Sequence, residues 1–247
     1  MVALLNADSA AFPTEPPADL RDPVAIAAHD WVAFSSLEEM TDHWSRPDWS
    51  DGSRAYYWLL TFPDSPRLAE LAHRCQTALA SLGLDAVPID GLHITLSGIG
   101  APDAITPGQL DALAGRAGGS AVRDAFSIRA MPLAGSRGAV RLSVGPWEPL
   151  VRLQAALVQL GTDAGITPKK SSAAFRPHLS LAYNNRRRPA MPVIEAVASL
   201  RSLAAVELDI THVQLVELRR SGAQYQWDVL TSLPLTAHHD LMSRPAK

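Results

Sequence analysis

Cysteine is almost absent from this 247-residue chain, in which Cys75 is the only one. A disulfide framework is excluded because this thiol has no partner within the chain. Cys75 lies in a run with helical spacing, which favours a buried thiol over a catalytic nucleophile. Long apolar runs are also missing, since no stretch approaches the roughly 18 residues that cross a bilayer. No basic segment precedes the short apolar start at Met1 to Leu5, so we expect a cytoplasmic protein with no secretory signal and no membrane partner.

Extremes of charge and polarity are absent as well. Hydrophobic residues make up 47% of the chain and charged residues 19%, and the formal net charge is −3. This composition excludes an intrinsically disordered chain. A length of 247 residues allows one large domain, or two small ones, to bury a core without a metal or a disulfide.

The charges are unevenly distributed along the chain. Residues 1–50 carry nine acidic and two basic side chains. The segment 169–188 has no acidic residue and six basic ones, namely Lys169, Lys170, Arg176, Arg186, Arg187 and Arg188. A basic segment without acids attracts phosphate groups. Two solvated loops on either side of a strand would have the same composition.

Composition and periodicity divide the chain into four parts. Residues 1–23 contain four prolines and no sustained period, and we expect them to be a mobile lead-in. Residues 24–54 form a tryptophan-rich extension in which Val24 to Trp44 has the spacing of an amphipathic helix. Residues 55–235 alternate between strand and helix patterns and are predicted to form the main domain. Residues 236–247 are a polar, aperiodic tail that we expect to be frayed.

A repeat of strand–helix–strand units runs through the main domain, with His93 and His178 at an offset of 85 residues. Apolar helix positions superpose at the same offset, as Leu68 with Leu153, Ala72 with Leu157 and Cys75 with Leu160. A duplication with lobes at about 55–133 and 139–235 is the simplest architecture. A parallel α/β sheet is the second choice, because the chain has no phosphate-binding glycine fingerprint.

Two strands of the repeat each combine a histidine with a hydroxyl residue. They contain His93-Ile94-Thr95-Leu96 and His178-Leu179-Ser180-Leu181. Since side chains alternate along a strand, each histidine shares a face with its hydroxyl residue while the aliphatic residues face the core. The pattern His-x-Ser/Thr is expected about once by chance in this composition, and a third match, His43-Trp44-Ser45, lies outside any strand pattern. Equivalent positions in the repeat distinguish the first two matches from the third.

Two imidazoles that face each other suit the cleavage of a phosphodiester. A base must deprotonate the attacking oxygen, and an acid on the opposite side of the phosphorus must protonate the leaving oxygen. Histidine titrates near pH 6.5, so one neutral and one charged ring can coexist near neutrality. The hydroxyls of Thr95 and Ser180 would donate to the nonbridging oxygens. We therefore predict that His93, Thr95, His178 and Ser180 are catalytic and that neither a metal nor another cofactor is needed.

Two other interpretations of these histidines remain open at the level of sequence. Both could be hydrogen-bonded core residues, as single strand histidines often are. A zinc site would need a third ligand, and neither strand offers a cysteine, histidine or acid at ligand spacing.

The motifs resemble those of the two-histidine (2H) phosphoesterase superfamily, in particular its bacterial branch of 2′-5′ RNA ligase-like proteins and cyclic phosphodiesterases. The similarity covers roughly residues 55–235 and includes Leu92 to Leu96, Phe175 to Leu181 and the closing strand from Tyr225-x-Trp227 to Leu235. It implies a bilobal α+β fold of duplicated β-α-β lobes in which two antiparallel sheets form a central groove. It also implies metal-independent phosphodiesterase action on 2′,3′-cyclic phosphates or 2′-5′ linkages of nucleotides or RNA, with catalytic roles for His93, Thr95, His178 and Ser180.

Further residues are candidates for binding the nucleotide. Tyr57, Tyr183 and Tyr225 would stack on a base, and Arg176, held extended by Pro177, would reach the phosphate. Packing accounts equally well for the tyrosines, and an ordinary surface position for the arginine. A module that binds nucleotide or RNA with little catalysis is an alternative function. Another is an enzyme for a different cyclic phosphodiester, such as an ADP-ribose cyclic phosphate or a cyclic oligonucleotide. No obligate protein partner is inferable.

Overall fold

The computed structural model describes residues 5–119, 124–168 and 172–236. Within these ranges the helices are α1 (Pro23–Ser35), α2 (Pro66–Leu79), α3 (Pro107–Gly119), α4 (Trp147–Asp163) and α5 (Met191–Leu200). The strands there are β1 (Glu39–Met40), β2 (Arg54–Thr61), β3 (Asp85–Ala86), β4 (His93–Gly100), β5 (Phe126–Ser136), β6 (Ala139–Gly145), β7 (His178–Tyr183), β8 (Arg188–Pro189), β9 (Val206–Ile210), β10 (His212–Ser221) and β11 (Gln224–Pro234).

The first sheet has four strands in the order β11-β10-β2-β4, and all neighbours are antiparallel. One of its faces is buried in the main core through large apolar side chains such as Trp58 and Ile94. The opposite face carries His93 and Thr95, because side chains alternate along β4. We call this face, and the matching face of the second sheet, the inner face.

The second sheet has five strands in the order β3-β7-β6-β5-β9, again all antiparallel. Leu179 and Leu181 of β7 are fully buried. His178 and Ser180 alternate with them and therefore lie on the inner face. Strands β4 and β7 contact each other, so the two histidine strands lie close together, and we call the space between their inner faces the groove. Strands β1 and β8 form a separate two-stranded sheet.

The two lobes are not consecutive stretches of sequence, which corrects the boundaries 55–133 and 139–235. Strand β5, from the first stretch, pairs with β6 and β9 of the second sheet. Strands β10 and β11, from the second stretch, extend the first sheet through β2. Helix α4 packs on β4 and helix α2 on β7, so the helices are exchanged as well. The α+β fold with two antiparallel sheets is confirmed, while its lobes interleave along the chain.

The two lobes interleave because a stretch predicted to be one strand is broken into two. The apolar pattern from Val206 to Leu218 indicates a single strand, but the structure has β9 and β10 separated by Thr211. Strand β9 pairs with β5 in the second sheet, and β10 pairs with β2 in the first. The chain therefore changes sheet at Thr211. Strand β9 buries every second residue, whereas β10 buries Leu215 and Val216 in succession at an irregularity in its register. These local patterns do not show that the two strands pair in different sheets.

Helix α1 is shorter than the predicted helix Val24 to Trp44. It begins after Asp22, whose carboxylate accepts the backbone N–H of Val24 at 2.8 Å. It ends at Ser35, where the hydroxyls of Ser35 and Ser36 donate to carbonyls of the preceding turn. Such bonds compete with continuation of a helix. Of the apolar residues that follow, Met40 is buried in β1 and Trp44 in the loop after it, while Leu37 is partly buried.

Helix α1 covers part of the inner face of the second sheet, at β5 and β6. Phe34 lies so close to Gly135 that a Cβ there would be 2.3 Å from the ring. Asp30, which is fully buried, accepts a 2.7 Å hydrogen bond from the hydroxyl of Ser143. Ser143 lies opposite His178 in the register of β6 and β7. The extension therefore reaches the part of the sheet that adjoins His178.

The lead-in is held against the domain from residue 5 onward, so the expectation of a mobile segment is wrong for its described part. The N–H of Asn6 donates to the carbonyl of Ala173 at 3.0 Å, and the carbonyl of Leu20 accepts the N–H groups of Trp147 and Glu148. These are backbone bonds to distant parts of the chain, and a proline-rich, aperiodic sequence gives no sign of them.

The predicted tail lies almost entirely outside the described residues, which end at Thr236. In the portions that the structure describes, no helix has the length and apolarity that crossing a membrane requires.

Candidate active site

His93 and His178 are fixed by the same local hydrogen bond. Each is the first residue of its strand. The Nδ1 atom of His93 lies 2.8 Å from the carbonyl oxygen of Gly91, and the Nδ1 atom of His178 lies 2.8 Å from that of Arg176. Because a carbonyl oxygen can only accept, Nδ1 of each ring carries the proton. Nε2 of each neutral ring is therefore the basic nitrogen, available for chemistry.

The hydroxyl residues lie where the alternation of the strands predicts. Thr95 is exposed and pairs across the sheet with Leu59, while Ser180 is half-buried and pairs with Arg141. The structure brings both predicted pairs, His93 with Thr95 and His178 with Ser180, to strands that contact each other. The two imidazoles also interact electrostatically, since charge on His93 lowers the pKa of His178.

The surroundings of both histidines favour the neutral imidazole. Burial lowers the pKa of His93 from its ordinary 6.5, although the bond to Gly91 opposes this shift. Burial, followed by the charge of Arg141, lowers the pKa of His178 to about 4. In the free protein near neutral pH both rings are therefore uncharged. An anion bound between them would raise both pKa values, because opposite charge favours the protonated ring.

Arg141 is the cation nearest to the second motif in the sheet register. It lies opposite Ser180 on β6, is 3% exposed, and donates to the carbonyl of Phe12 at 3.0 Å. Asp30 lies 4.0 Å from it. Burial alone raises the pKa of the Asp30 carboxyl, but His29, Arg141 and Ser143 together lower it. The pair therefore forms a buried, charged network beneath α1, beside His178.

Arg176 does not reach the groove, contrary to the prediction. Its Nε donates to the carbonyl of Pro13 at 3.0 Å, and its two terminal nitrogens donate to the carbonyls of Asn6, Thr14, Ala173 and Phe175. A guanidinium has five N–H donors, and the structure gives five carbonyl partners. The prediction that Arg176 binds phosphate is therefore wrong, because its donors hold the lead-in instead.

Two of the three predicted tyrosines, Tyr183 and Tyr225, are in ring contact, and Tyr57 acts electrostatically on Tyr225. Tyr57 is half-buried, with Trp49 edge-on at 6.2 Å between ring centroids. Tyr183 is only 5% exposed. Tyr225 is half-buried and packs edge-on against Tyr183 at 5.5 Å. Base stacking by these rings stays a prediction, and for Tyr183 one ring face is already covered by another residue.

That residue is His43, which was not among the predicted site residues. Its ring stacks on Tyr183 with centroids 4.0 Å apart, and its Nε2 lies 2.8 Å from the hydroxyl of Tyr225. Both catalytic candidates, His93 and His178, act electrostatically on it. The signal in the sequence was the third His-x-Ser match, in the tryptophan-rich extension. This match lies outside any strand pattern, and its ring partners follow it by well over one hundred residues, so the local sequence does not connect it with the site.

Two arginines at the end of the basic segment 169–188 are engaged in contacts within the protein. Arg187 forms an exposed ion pair with Glu39 at 2.5 Å, and Arg188 donates to the carbonyl of Leu82. Lys169 and Lys170 lie outside the described residues. In the described part of the segment, Arg187 therefore joins the acidic extension to the domain, while Arg188 holds the loop after α2.

The described residues contain neither a group of side chains suited to a metal ion nor an exposed, reactive thiol. Within the described ranges, no three His, Cys, Asp or Glu side chains are grouped so as to hold a metal ion. Cys75 is buried as predicted, and burial raises the pKa of its thiol to about 11.

Comparison with known proteins identifies the family. The family model of the 2'-5' RNA ligase superfamily matches residues 62–222, which is more than half of the chain and includes both histidine strands. The chain belongs to the 2'-5' RNA ligase superfamily. This superfamily of 2H phosphoesterases is the one that the two motifs resemble. No match was found among the curated proteins.

Solved structures similar to this superfamily member share its fold. A crystal structure of a phosphoesterase is 17% identical with a TM-score of 0.55, and covers 74% of this chain and 99% of its own. Escherichia coli LigT complexed with NADP+ is 18% identical with a TM-score of 0.52, covering 76% and 99%. TT0787 of Thermus thermophilus is 21% identical with a TM-score of 0.53, covering 75% and 100%. Nearly the whole of each neighbour aligns with about three quarters of this chain. The remaining quarter of this chain therefore lies outside the fold that they share.

Proposed function

We propose that this protein is a metal-independent phosphodiesterase that acts on 2′,3′-cyclic phosphates or 2′-5′ linkages of nucleotides or RNA. His93 and His178 serve as its general acid and general base. The observation that carries the proposal is the matched pair of Nδ1 hydrogen bonds, because they leave two basic Nε2 atoms, one from each sheet, at the same groove. Membership of a phosphoesterase superfamily supports the same reaction class.

Hydrolysis of a cyclic phosphate then proceeds by in-line displacement. Nε2 of the neutral histidine takes a proton from water while the water oxygen bonds to phosphorus. The bond from phosphorus to one ribose oxygen breaks on the opposite side. The second, protonated histidine gives its Nε2 proton to that oxygen. The product is a ribose phosphate monoester with one free hydroxyl, and the two rings exchange protonation states. In the reverse direction, as a ligation, their roles are swapped.

The hydroxyls and the local electrostatics support this chemistry. Thr95 and Ser180 share faces with the two rings, where a donor to a nonbridging oxygen would stabilise the charge of the transition state. The pKa of His178 is low in the free protein. A phosphodiester anion in the groove raises it, so the substrate itself favours the protonated acid. Substrate binding is thereby linked to protonation of the histidine that acts as the acid.

A nucleotide is the substrate that the neighbours support best. Structures of Escherichia coli LigT have been determined with NADP+ and with 3'-AMP. In this chain, Trp227 lies beside His93 with ring centroids 5.3 Å apart. Tyr225 is two residues away on β11. An aromatic ring next to the reacting phosphate gives a base a surface on which to stack.

The test is a substrate panel assayed in excess EDTA. It contains a nucleoside 2′,3′-cyclic phosphate, a 2′-5′-linked dinucleotide, an ADP-ribose cyclic phosphate and a cyclic oligonucleotide, and the position of phosphate in each product is determined. Turnover of either of the first two substrates is expected. Saturable binding without turnover at any pH would make the protein a nucleotide-binding module instead. Turnover of only the last two would reassign the substrate, and activity that needs added zinc would replace the two-histidine mechanism.

A further inference from the structure

Asp30 of helix α1 lies beside the second catalytic motif although it belongs to the extension. Its Oδ2 accepts a 2.7 Å hydrogen bond from the hydroxyl of Ser143, and Ser143 is the cross-strand partner of His178 in the β6–β7 register. Directly opposed residues point to the same face of a sheet, with Cβ atoms about 5 Å apart. The Asp30 carboxylate is therefore bonded to the residue next to the His178 ring.

Arg141 places a positive charge on the same face of β6. It lies opposite Ser180, and one of its terminal nitrogens is 4.0 Å from Oδ1 of Asp30. Phe12 covers it, with 5.5 Å between the guanidinium carbon and the centre of the ring. Both charged residues are buried, with Asp30 0% and Arg141 3% exposed. Because water is excluded there, the two charges act on the second motif more strongly than exposed charges would.

Both members of this pair are charged at neutral pH. Burial raises the pKa of the Asp30 carboxyl, but His29, Arg141 and Ser143 lower it by more. His29 contributes from the same helix, with its Nδ1 3.9 Å from Oδ1 of Asp30. A guanidinium is not deprotonated in proteins. An ionised carboxylate and a guanidinium therefore lie next to the second motif.

The groups around His178 influence its protonation in opposite directions. Burial, followed by the charge of Arg141, lowers its pKa to about 4, and His93 of β4 lowers it further. The backbone bond to Arg176 and the charge of Asp30 raise it. Asp30 is the carboxylate in this set, so its charge is the one that favours the protonated ring.

Other titratable groups near this network do not replace Asp30. His43 also interacts with His178, but burial lowers the pKa of His43 to about 2, so that it is neutral at pH 7. The charge of Asp30 reaches Arg176 and Arg201 as well, and both of these are cations. None of the three supplies the negative charge that stabilises a protonated His178.

We propose that Asp30 is a positioning residue for His178: bonded to Ser143 and paired with Arg141, its carboxylate offsets the guanidinium charge, so that the ring accepts a proton when a phosphodiester binds. Without Asp30, the uncompensated charge of Arg141 would hold the ring neutral. The family match begins at residue 62, so Asp30 precedes the matched part of the chain. The inference rests on the proposed function and assigns the extension a part in the reaction.

The first experiment is an NMR titration of the His178 imidazole in the full-length protein, with its resonance assigned by its absence in His178→Ala. Asp30→Asn keeps the size of the side chain and an acceptor for Ser143 but removes the charge. The pKa of His178 should therefore fall by about one pH unit. In Arg141→Met it should rise by about the same amount, because the nearest cation is lost.

Asp209→Asn is the matched control. Asp209 also accepts a hydrogen bond from a serine of the neighbouring strand, 2.6 Å from the hydroxyl of Ser127, but it is exposed. Its replacement should leave the pKa of His178 at the wild-type value, because solvent and salt screen an exposed charge.

The double variant keeps the test available if Asp30→Asn does not fold. Removing one partner of a buried ion pair is strongly destabilising, whereas removing both is much less so. In the Arg141→Met background, where His29 and Ser143 still favour the ionised carboxyl, Asp30→Asn should again lower the pKa of His178. An unchanged pKa in that comparison would overturn the inference.

The second readout is the pH dependence of kcat/KM for a nucleoside 2′,3′-cyclic phosphate. The limb that is lost in His178→Ala should move to lower pH in Asp30→Asn and to higher pH in Arg141→Met. A merely structural Asp30 would change stability or kcat without moving this limb. Shifts in the same direction in both variants, or a limb that does not follow the NMR titration, would overturn the inference. A wild type without turnover contradicts the proposed function, and the titration then still decides whether Asp30 acts on His178.

Discussion

The imidazoles of His93 and His178 are held by equivalent bonds, each 2.8 Å from Nδ1 to the carbonyl oxygen two residues earlier. The bond selects the tautomer and the plane of each ring. Because it is formed with the residues just before each strand, it needs no contribution from the rest of the fold. Two strands from two sheets therefore present the same nitrogen to one groove.

Replacing either histidine should remove most of the turnover. In His93→Ala and in His178→Ala we expect kcat for a 2′,3′-cyclic nucleotide to fall by about 10²–10⁴-fold, the usual contribution of a general acid or base. His73→Ala, at an exposed position on α2, should keep the wild-type rate. Steady-state kinetics at neutral pH measure all three, and near-normal turnover in either groove variant would contradict the proposed roles.

The hydroxyls should matter through hydrogen bonding rather than volume. Thr95→Val keeps the shape of the side chain and removes its donor, and we expect kcat to fall by about 10²-fold, as for the loss of one oxyanion donor. Thr95→Ser keeps the hydroxyl and should retain most of the activity. Equal activity of the valine and serine variants would remove the hydroxyl from the mechanism.

Arg176 should act on stability and not on substrate binding. Arg176→Met leaves five carbonyl acceptors without their charged donor. We expect the free energy of unfolding to fall by about 2–3 kcal/mol, while KM for a cyclic nucleotide stays unchanged. Urea unfolding and initial-rate kinetics on the same preparation separate these effects. A raised KM with unaltered stability would restore Arg176 to the substrate site.

The parts of the site that follow from local pattern could be predicted from the sequence. His93 and Thr95 share a face because strand side chains alternate, and buried Ile94 and Leu96 confirm that alternation. The equivalent position of His178 in the repeat indicated that both motifs belong to one site. Such patterns need only a few neighbouring residues, so sequence carries them well.

The parts that depend on distant contacts could not be predicted. His43 follows the end of α1 in a short irregular segment, and its partners Tyr183 and Tyr225 come from two different sheets. Arg176 resembled a phosphate ligand because its charge was visible in the sequence, whereas its carbonyl partners in the lead-in were not. The change of sheet at Thr211 was hidden for the same reason, since pairing between distant strands leaves no local periodicity.

His43 should make the protein less stable in acid. Its pKa is about 2 in the folded protein, below the ordinary 6.5, so between these values the unfolded chain binds a proton that the folded protein does not. The stability is fully present above pH 6.5 and falls as the pH is lowered, by up to about 1.4 kcal/mol per pH unit for this group. His43→Gln should show a shallower loss than the wild type in urea unfolding across this window. If the free energy of unfolding falls equally steeply with pH in both proteins, His43 titrates normally.

The pH dependence of kcat/KM in the wild type and the two histidine variants tests the acid–base pair most directly. The account predicts a bell-shaped profile for the wild type, whose acid limb lies below pH 6.5 because burial lowers the pKa of the histidine that acts as base. It also predicts that His93→Ala and His178→Ala each lose a different limb. A profile that keeps both limbs in either variant would show that the two imidazoles are not the groups that exchange protons with the substrate.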